Sequence, residues 1–277
     1  MVHPLWKLRF DLERGQFVDL THAFHPGIPH GAGFDDEVRE TLFDHTPGVG
    51  SIGDGFLVHK HTIVGQWGTH VDPPIHFVDG GRALDDIPVS DMVLPLCVID
   101  CTTQAQQDAD YTLAVSDILN WEAEHGPLPE GAFVAMRTGW SKRWPDAARM
   151  RPLDASGCAR FPGWGCQALT FLAQERNVTA IGHETTDTDP GVKAGRGNFE
   201  AEALWLAYDK YQIELLAGLD LVPNAGALIL RVFQRSKAGP DFQRAPLPFA
   251  QRYQQNDDDK SRSADRQFEA KPDPGHR

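Results

Sequence analysis

Short apolar segments recur along the chain and give the clearest indication of its secondary structure. Five of them have the length and composition of buried strands: residues 17–20, 94–99, 132–136, 178–181 and 227–232. Between them lie amphipathic patterns typical of helices: residues 115–125, 166–176 and 199–212. Strands mixed with amphipathic helices, without a visible internal repeat, predict a single domain of the α/β or α+β class.

The stretch QWGTHVDPPIH, residues 66–76, interrupts this apolar pattern with closely spaced polar side chains. Its even-numbered positions hold the residues that are able to do chemistry: Gln66, His70, Asp72 and His76. In an extended chain residues two apart share a face, so these side chains would line one side and Trp67 the other. Pro73 and Pro74 exclude a helix interior and bias Asp72 toward extended geometry. We therefore predict an extended segment with one polar face.

This polar face has the composition of a metal site. His70 and Asp72 on one side, with His76 just beyond the double-proline bend, can converge on one ion or one water. Imidazole nitrogens and carboxylate oxygens are the usual ligands of Zn²⁺, Mn²⁺ and related ions. The alternative is a polar strand end whose histidines face water, and the spacing alone leaves both interpretations open.

The charge balance narrows the class of partner. The chain carries 39 acidic and 26 basic residues, for a formal net charge of −13 at pH 7, which argues against nucleic acid or an anionic membrane. No apolar run reaches the roughly 18 residues of a transmembrane helix, and the N-terminal residues lack the features of a signal peptide. We therefore expect a cytoplasmic protein that acts on a small molecule.

The last part of the chain differs in composition from the rest. From residue 254 onward it is polar, and Phe268 is the one large apolar side chain in that stretch. Such a segment cannot bury enough apolar surface to offset the entropy lost on ordering. We expect one domain over residues 1–253 and a disordered tail over 254–277, with an interaction tail as the alternative.

The motif GTHVDPPIH, residues 68–76, resembles the signature of the cyclase-type metal-dependent hydrolases, a family that includes kynurenine formamidase and isatin hydrolase. The resemblance extends to VDLTH with HPGIP near the N-terminus, to AIGHETTDTDP at residues 180–190, and to IELLAGLD at residues 213–220. It implies a kynurenine-formamidase-like (cyclase) α/β fold, in which a mixed β core is surrounded by helices. It also implies a homodimer or homotetramer.

The resemblance assigns roles to individual residues. His70 and Asp72 match metal ligands, His76 matches the catalytic histidine, and Glu214 matches a late carboxylate ligand. This sequence departs from the family pattern at two places, where Gln66 and Glu202 replace histidines. Gln66 and Glu202 are themselves candidate oxygen ligands beside Asp72 and Glu214. One imidazole with several oxygen ligands forms a harder donor set than a histidine-rich site, so we expect one Mn²⁺ per chain, with Zn²⁺ as the alternative.

Some candidates have equally ordinary interpretations. Glu214 lies in an apolar context, where a carboxylate is costly unless it is paired or metal-bound, but it could be an edge-strand residue facing solvent. Glu202 could likewise be a solvated helix residue. His183 at a strand end is expected to bind substrate or to make a structural hydrogen bond, and Trp67 and Trp144 to contact a flat substrate or to pack in the core.

These observations predict a metal-dependent hydrolase of a carbon–nitrogen amide bond, acting on an aryl formamide or a cyclic amide. The metal would make hydroxide available near neutral pH and polarise the carbonyl, and His76 would act first as general base and then as general acid. The alternatives are a lactonase or dehydratase-like cyclase of the same fold, and a metal- or ligand-binding protein without turnover.

Overall fold

The computed structural model describes residues 3–31, 33–46 and 55–231, together with the backbone of 249–252. The larger of two compact units spans the described residues between 16 and 252, and the described residues 3–15 belong to the smaller unit. The smaller unit contains helix α1 (Pro4–Glu13), which begins at a proline and buries none of its side chains. The tail predicted at 254–277 lies outside the described residues, so its disorder and the single domain over 1–253 stay predictions.

One mixed sheet organises the larger unit. The strands in the described part of the chain are β1 (Gln16–Asp19), β2 (Val38–Phe43), β3 (Val58–Thr62), β4 (His70–Asp72), β5 (Val93–Asp100), β6 (Thr112–Leu113), β7 (Phe133–Arg137), β8 (Gly163–Trp164), β9 (Ala180–His183), β10 (Tyr211–Glu214), β11 (Ala227–Leu230) and β12 (Phe249–Arg252). Eight of them form one sheet in the order β1-β12-β11-β5-β7-β9-β10-β4. Strands β5, β7, β9 and β10 run parallel, whereas β4 is antiparallel to β10. Strand β4 therefore lies at an edge of this sheet.

Three helices of the larger unit pack on one face of the sheet. The helices of that unit in the described ranges are α2 (Thr102–Gln107), α3 (Val115–His125), α4 (Ala147–Met150), α5 (Cys166–Gln174), α6 (Gly191–Ala194) and α7 (Glu200–Ala207). Helices α3, α5 and α7 bury their apolar side chains with Val134 and Met136 of β7 in one core cluster. Phe133 and Ala135 belong to the cluster on the other face, because successive strand side chains point to opposite sides. No helix in the described ranges is long and apolar enough to cross a membrane.

The structure confirms the mixed α/β fold and corrects one predicted element. The five predicted strands and the helices at 115–125 and 166–176 are present. The helix predicted over 199–212 is wrong in its last third, because α7 ends at Ala207 and β10 begins at Tyr211. Asp209, with φ +59°, reverses the chain between them. Apolar periodicity alone does not separate a buried helix end from the buried strand that follows it.

The segment at 66–76 is extended only in part. Residues His70–Asp72 form β4, but Pro74–His76 form a 3₁₀ turn with its first proline at a helix-start position. The prediction of extended backbone from residue 66 through His76 is therefore wrong beyond Asp72. Phe77, expected on the opposite face, lines the same cavity as His76.

Candidate metal centre

Three predicted ligands meet at the paired strands β4 and β10. In the antiparallel register His70 lies opposite Glu214, and Asp72 lies two residues further along β4. Nε2 of His70 is 3.3 Å from Oδ2 of Asp72 and 3.7 Å from Oε2 of Glu214. One possible ligand atom from each of the three residues lies within 4.8 Å of the others, and all three side chains are buried. This spacing suits a single cation held between two strands.

The loop before β4 fixes the orientation of the His70 ring. Nδ1 of His70 donates to the carbonyl oxygen of Gly68 at 2.8 Å, which turns Nε2 toward the two carboxylates. A backbone acceptor on one ring nitrogen is the usual way in which proteins orient a histidine ligand. Gly68 adopts φ +62°, and a Cβ there would lie 3.2 Å from Ile28, so glycine suits this turn.

Gln212 of β10 lies among three carboxylates, and it is not one of the residues predicted from the sequence. Its Nε2 donates to Glu202 at 3.0 Å, to Glu214 at 3.1 Å and to Asp72 at 3.4 Å. Its Oε1 accepts from the hydroxyl of Thr188 at 2.6 Å, which fixes the direction of the amide. Gln212 and Glu214 are two residues apart on one strand, so the period-two rule could have placed them on one face.

The buried carboxylates of this cluster favour the binding of a cation. Burial and the neighbouring carboxylates Glu202 and Asp72 raise the pKa of Glu214 well above its ordinary value. Burial and Asp72 likewise raise the pKa of Glu202. Burial also acts to raise the pKa of Asp72, but His70, His76 and Gln212 outweigh it and lower that pKa. Oδ1 of Asp72 is buried without a hydrogen-bond partner among the described residues. Such an oxygen beside an imidazole and a second carboxylate fits a divalent ion.

A cavity of about 450 Å³ opens over these ligands. Its walls combine acidic, aromatic and small residues: His30, Gly31, Gly33, Phe34, Gln66, His70, Asp72, His76, Phe77, Arg151, Thr186, Asp187, Phe199, Glu202, Glu214 and Leu215. Phe77 and Phe199 face each other edge to face at 6.1 Å between ring centroids. The cavity therefore joins a metal site to aromatic walls, as many small-molecule sites do.

His76 lies between the two residues that replace histidines of the family pattern. The amide nitrogen of Gln66 is 3.2 Å from Nδ1 of His76, and Oε1 of Glu202 is 3.8 Å from Nε2. Asp189 accepts from the backbone N–H groups of Ala201 and Glu202 and so fixes the start of α7. Gln66 and Glu202 thus line the cavity beside the catalytic candidate. Their ligation of a metal through oxygen, which the donor chemistry suggested, stays a prediction.

The three predicted substrate contacts do not line the described cavity walls. His183 is fully buried, with Nε2 3.4 Å from Oε1 of Glu214, and burial lowers its pKa to about 3. Trp67 is buried and stacks on His30 at 4.3 Å. Trp144 stacks on His22 at 4.1 Å. None of the three is among the described lining residues, so direct contact with substrate stays a prediction, and the geometry favours supporting roles.

Comparison with known proteins identifies a family and a fold for this chain. The Cyclase family model matches residues 18–190. Isatin hydrolase from Roseibium aggregatum is 33% identical over 181 residues, which cover 63% of this chain and 68% of that protein. The structure of isatin hydrolase A from Labrenzia aggregata, bound to benzyl benzoate, superposes with a TM-score of 0.78 at 30% identity, covering 90% of this chain and 98% of that one.

A second solved structure gives the same result. Isatin hydrolase A from Ralstonia solanacearum has a TM-score of 0.79 at 29% identity, over 91% of this chain and 97% of that chain. The family match spans most of the described larger unit, and the fold agrees over nine-tenths of the sequence. The chain therefore belongs to the Cyclase family and shares the fold of the isatin hydrolases.

Proposed function

We propose that this protein is a metal-dependent amidohydrolase that opens a cyclic amide fused to an aromatic ring, isatin being the model substrate. The observation that carries the proposal is the buried group of His70, Asp72 and Glu214 on the wall of a cavity that His76 also lines. The relatives that support the reaction class are isatin hydrolases. An aryl formamide is the alternative amide of the same class.

The donor set favours one divalent ion per chain, with Mn²⁺ preferred and Zn²⁺ as the alternative. One imidazole and two carboxylates offer more oxygen than nitrogen, which suits Mn²⁺ better than a histidine-rich site would. When bound, such an ion supplies Lewis-acid chemistry, in which it lowers the pKa of water and polarises a carbonyl. His70, Asp72 and Glu214 would hold it, and the Gln212 amide donates hydrogen bonds to both carboxylates.

His76 is placed to move protons. Its Nδ1 contacts the Gln66 amide, while Nε2 faces Glu202 at the cavity wall. An amide group offers both an acceptor and donors, so Gln66 can hold the ring in either protonation state. His76 can therefore take a proton from the attacking water and return it to the leaving nitrogen, the two duties of a general acid–base residue.

The cavity walls support a flat substrate. Phe34, Phe77 and Phe199 supply ring faces and edges around the ligands. Aromatic rings prefer offset or edge-to-face contact with other rings, and such contacts contribute about 0.5–1.5 kcal/mol each. An aromatic amide fits these walls better than a purely aliphatic one.

A substrate panel tests the proposal. The protein, loaded with Mn²⁺ or Zn²⁺, is assayed on isatin, formanilide and a benzo-fused lactone, with His70→Ala as the matched control. We expect hydrolysis of isatin above all, its loss in EDTA and in the control, and elemental analysis near one ion per chain. Faster turnover of the lactone would instead indicate a lactonase, and metal content without turnover of any substrate would indicate a binding protein. The oligomeric state and cellular location stay predictions.

A further inference from the structure

The charged side chains that line the cavity are mostly acidic. Its described walls contain four acidic side chains, from Asp72, Asp187, Glu202 and Glu214, and a single arginine or lysine, Arg151. A metal ion offsets the charge of its own two carboxylate ligands, but Arg151 lies apart from that group. Because a guanidinium stays charged at every physiological pH, Arg151 is a fixed positive charge in a predominantly acidic cavity.

The side chain of Arg151 is held in place on two sides. Its Nη1 donates to Oδ2 of Asp187 at 2.9 Å, and the same carboxylate oxygen accepts from the hydroxyl of Thr186 at 2.8 Å. The guanidinium carbon lies 5.4 Å from the ring centroid of Phe161, which is fully buried. The guanidinium is therefore oriented before any ligand enters.

The backbone of Arg151 is equally well anchored. Residue Asp146 caps α4 by accepting from the N–H of Arg149, and the N–H of Arg151 donates to the carbonyl of Ala147. The carbonyl of Met150 accepts from the indole of Trp140 at 2.8 Å. This anchoring holds the backbone of the residue that follows α4 in one place, which favours ligand recognition over the role of a mobile surface charge.

Part of the guanidinium remains available. The hydrogen bond that Arg151 makes to a described side chain uses Nη1, and its side chain is 24% exposed at the cavity wall. The planar guanidinium has five N–H donors and matches the two oxygens of a carboxylate. Asp187 accepts from one side of the guanidinium, so the N–H donors on the other side can bind an anion in the cavity.

The proposed reaction produces such an anion. When water adds to the carbonyl carbon of a cyclic amide, the C–N bond breaks and the nitrogen takes one hydrogen to become an amine. The acyl group becomes a carboxylic acid, which releases its proton to solvent as a carboxylate. If a second carbonyl adjoins the amide, the product is an α-oxo carboxylate, whose oxygens lie close together on one edge.

We propose that Arg151 forms an anion subsite that binds the α-oxo carboxylate of the product and the paired carbonyl oxygens of the substrate. The inference rests on the proposed function for the identity of the anion, but the subsite itself is defined by Arg151, Asp187 and Thr186. It makes Arg151 a specificity-determining residue that favours cyclic amides with an adjoining carbonyl over simple lactams. Phe77 and Phe199 would contact the ring of the same ligand.

Binding of phenylglyoxylate and of its neutral methyl ester to the Mn²⁺-loaded protein tests the subsite by calorimetry. We compare the wild type with Arg151→Gln, Arg151→Lys and Arg149→Gln. Arg149 is exposed two residues away, so its variant changes net charge equally and controls for long-range electrostatics. Hydrogen bonds to charged groups contribute about 1.5–3 kcal/mol, which corresponds to a weakening of roughly 10- to 150-fold.

We expect Arg151→Gln to weaken phenylglyoxylate binding by about that factor, Arg151→Lys to weaken it less, and Arg149→Gln to leave it within twofold. Binding of the neutral ester should change little in any variant. An equal loss for acid and ester in Arg151→Gln, or no loss for either, would overturn the subsite.

Turnover of isatin is measured on the same preparations and separates the two proposals. If the wild type hydrolyses no amide while Arg151→Gln still loses phenylglyoxylate, the subsite stands and the proposed function fails. If isatin is hydrolysed but Arg151→Gln binds phenylglyoxylate as the wild type does, the function stands and the subsite fails.

Discussion

The side-chain amide nitrogen of Gln66 lies 3.2 Å from Nδ1 of His76. The contact supports the proposal that Gln66, in a place where the family pattern has a histidine, positions the proposed proton-transfer group. Gln66→Leu removes the contact without adding charge. We expect kcat to fall about tenfold, as for the loss of one hydrogen bond of about 1.4 kcal/mol, and metal content by elemental analysis to stay unchanged. Loss of the ion in this variant would show that Gln66 is a ligand.

His76→Ala removes the proton-transfer group itself. The imidazole lies beside the group of three ligands and not within it, so the ion should be retained. General acid–base groups typically contribute about 10²–10⁴-fold, and kcat should fall within that range. Metal content and kcat are measured on the same preparation. An equal loss of both would reassign His76 to the ligand set.

His70→Ala should act differently, because His70 supplies the single imidazole of the three-residue group. We expect the ion and the activity to be lost together. A matched change, His25→Ala in an exposed loop, removes a histidine elsewhere and should alter neither. Full metal occupancy in His70→Ala, measured after dialysis, would contradict the proposed centre.

Gln212→Leu tests the amide that lies among three carboxylates. Without a divalent ion, Asp72, Glu202 and Glu214 lose an N–H donor in a buried site. An unsatisfied buried polar group costs about 1–3 kcal/mol, so urea unfolding in EDTA should show a loss of that size. Gln107→Leu, on an exposed turn of α2, should stay within about 0.5 kcal/mol of the wild type. Equal stability of the two variants would mean that water replaces the amide.

The site could be predicted from the sequence as far as local geometry determines it. His70 and Asp72 share a face because β4 is a strand, and that follows from spacing alone. The partners on β10 and α7 could not be derived in this way, because strand register and helix placement depend on packing across the whole sheet. The resemblance supplied Glu214, and the period-two alternation could then have placed Gln212 on the same face. Arg151 became visible only in three dimensions.

In the fold, as in the site, the features that a short segment determines were predictable and the features that depend on packing between distant segments were not. Buried strands such as β5 and β7 have continuous apolar sequences, and their existence was predictable. The boundary between α7 and β10 was not, because Trp205 and Tyr211 are both fully buried and apolar periodicity continues through the turn. The turn is set by the backbone reversal at Asp209, which local propensity does not encode strongly.

The last prediction concerns His22, whose ring stacks on Trp144 at 4.1 Å between centroids. Burial lowers the pKa of His22 from 6.5 to about 4, although Asp19 acts in the opposite direction. Between these two pH values the unfolded chain binds a proton at this residue and the folded chain does not. The free energy of unfolding that this group contributes is therefore complete above pH 6.5 and falls as the pH drops to about 4.

His22→Phe keeps an aromatic ring against Trp144 and removes the titration. Other acidic groups also titrate in this range, so the quantity to measure is the difference in unfolding free energy between the variant and the wild type. Urea unfolding at pH 7, 5.5 and 4.5 should show this difference shifting in favour of His22→Phe by an amount on the order of 1–3 kcal/mol. His25→Phe, in an exposed part of the same loop, controls for the added apolar surface. A pH-independent difference for His22→Phe would mean that its ring is protonated equally well in the folded and unfolded chain, and that burial against Trp144 does not exclude the charge.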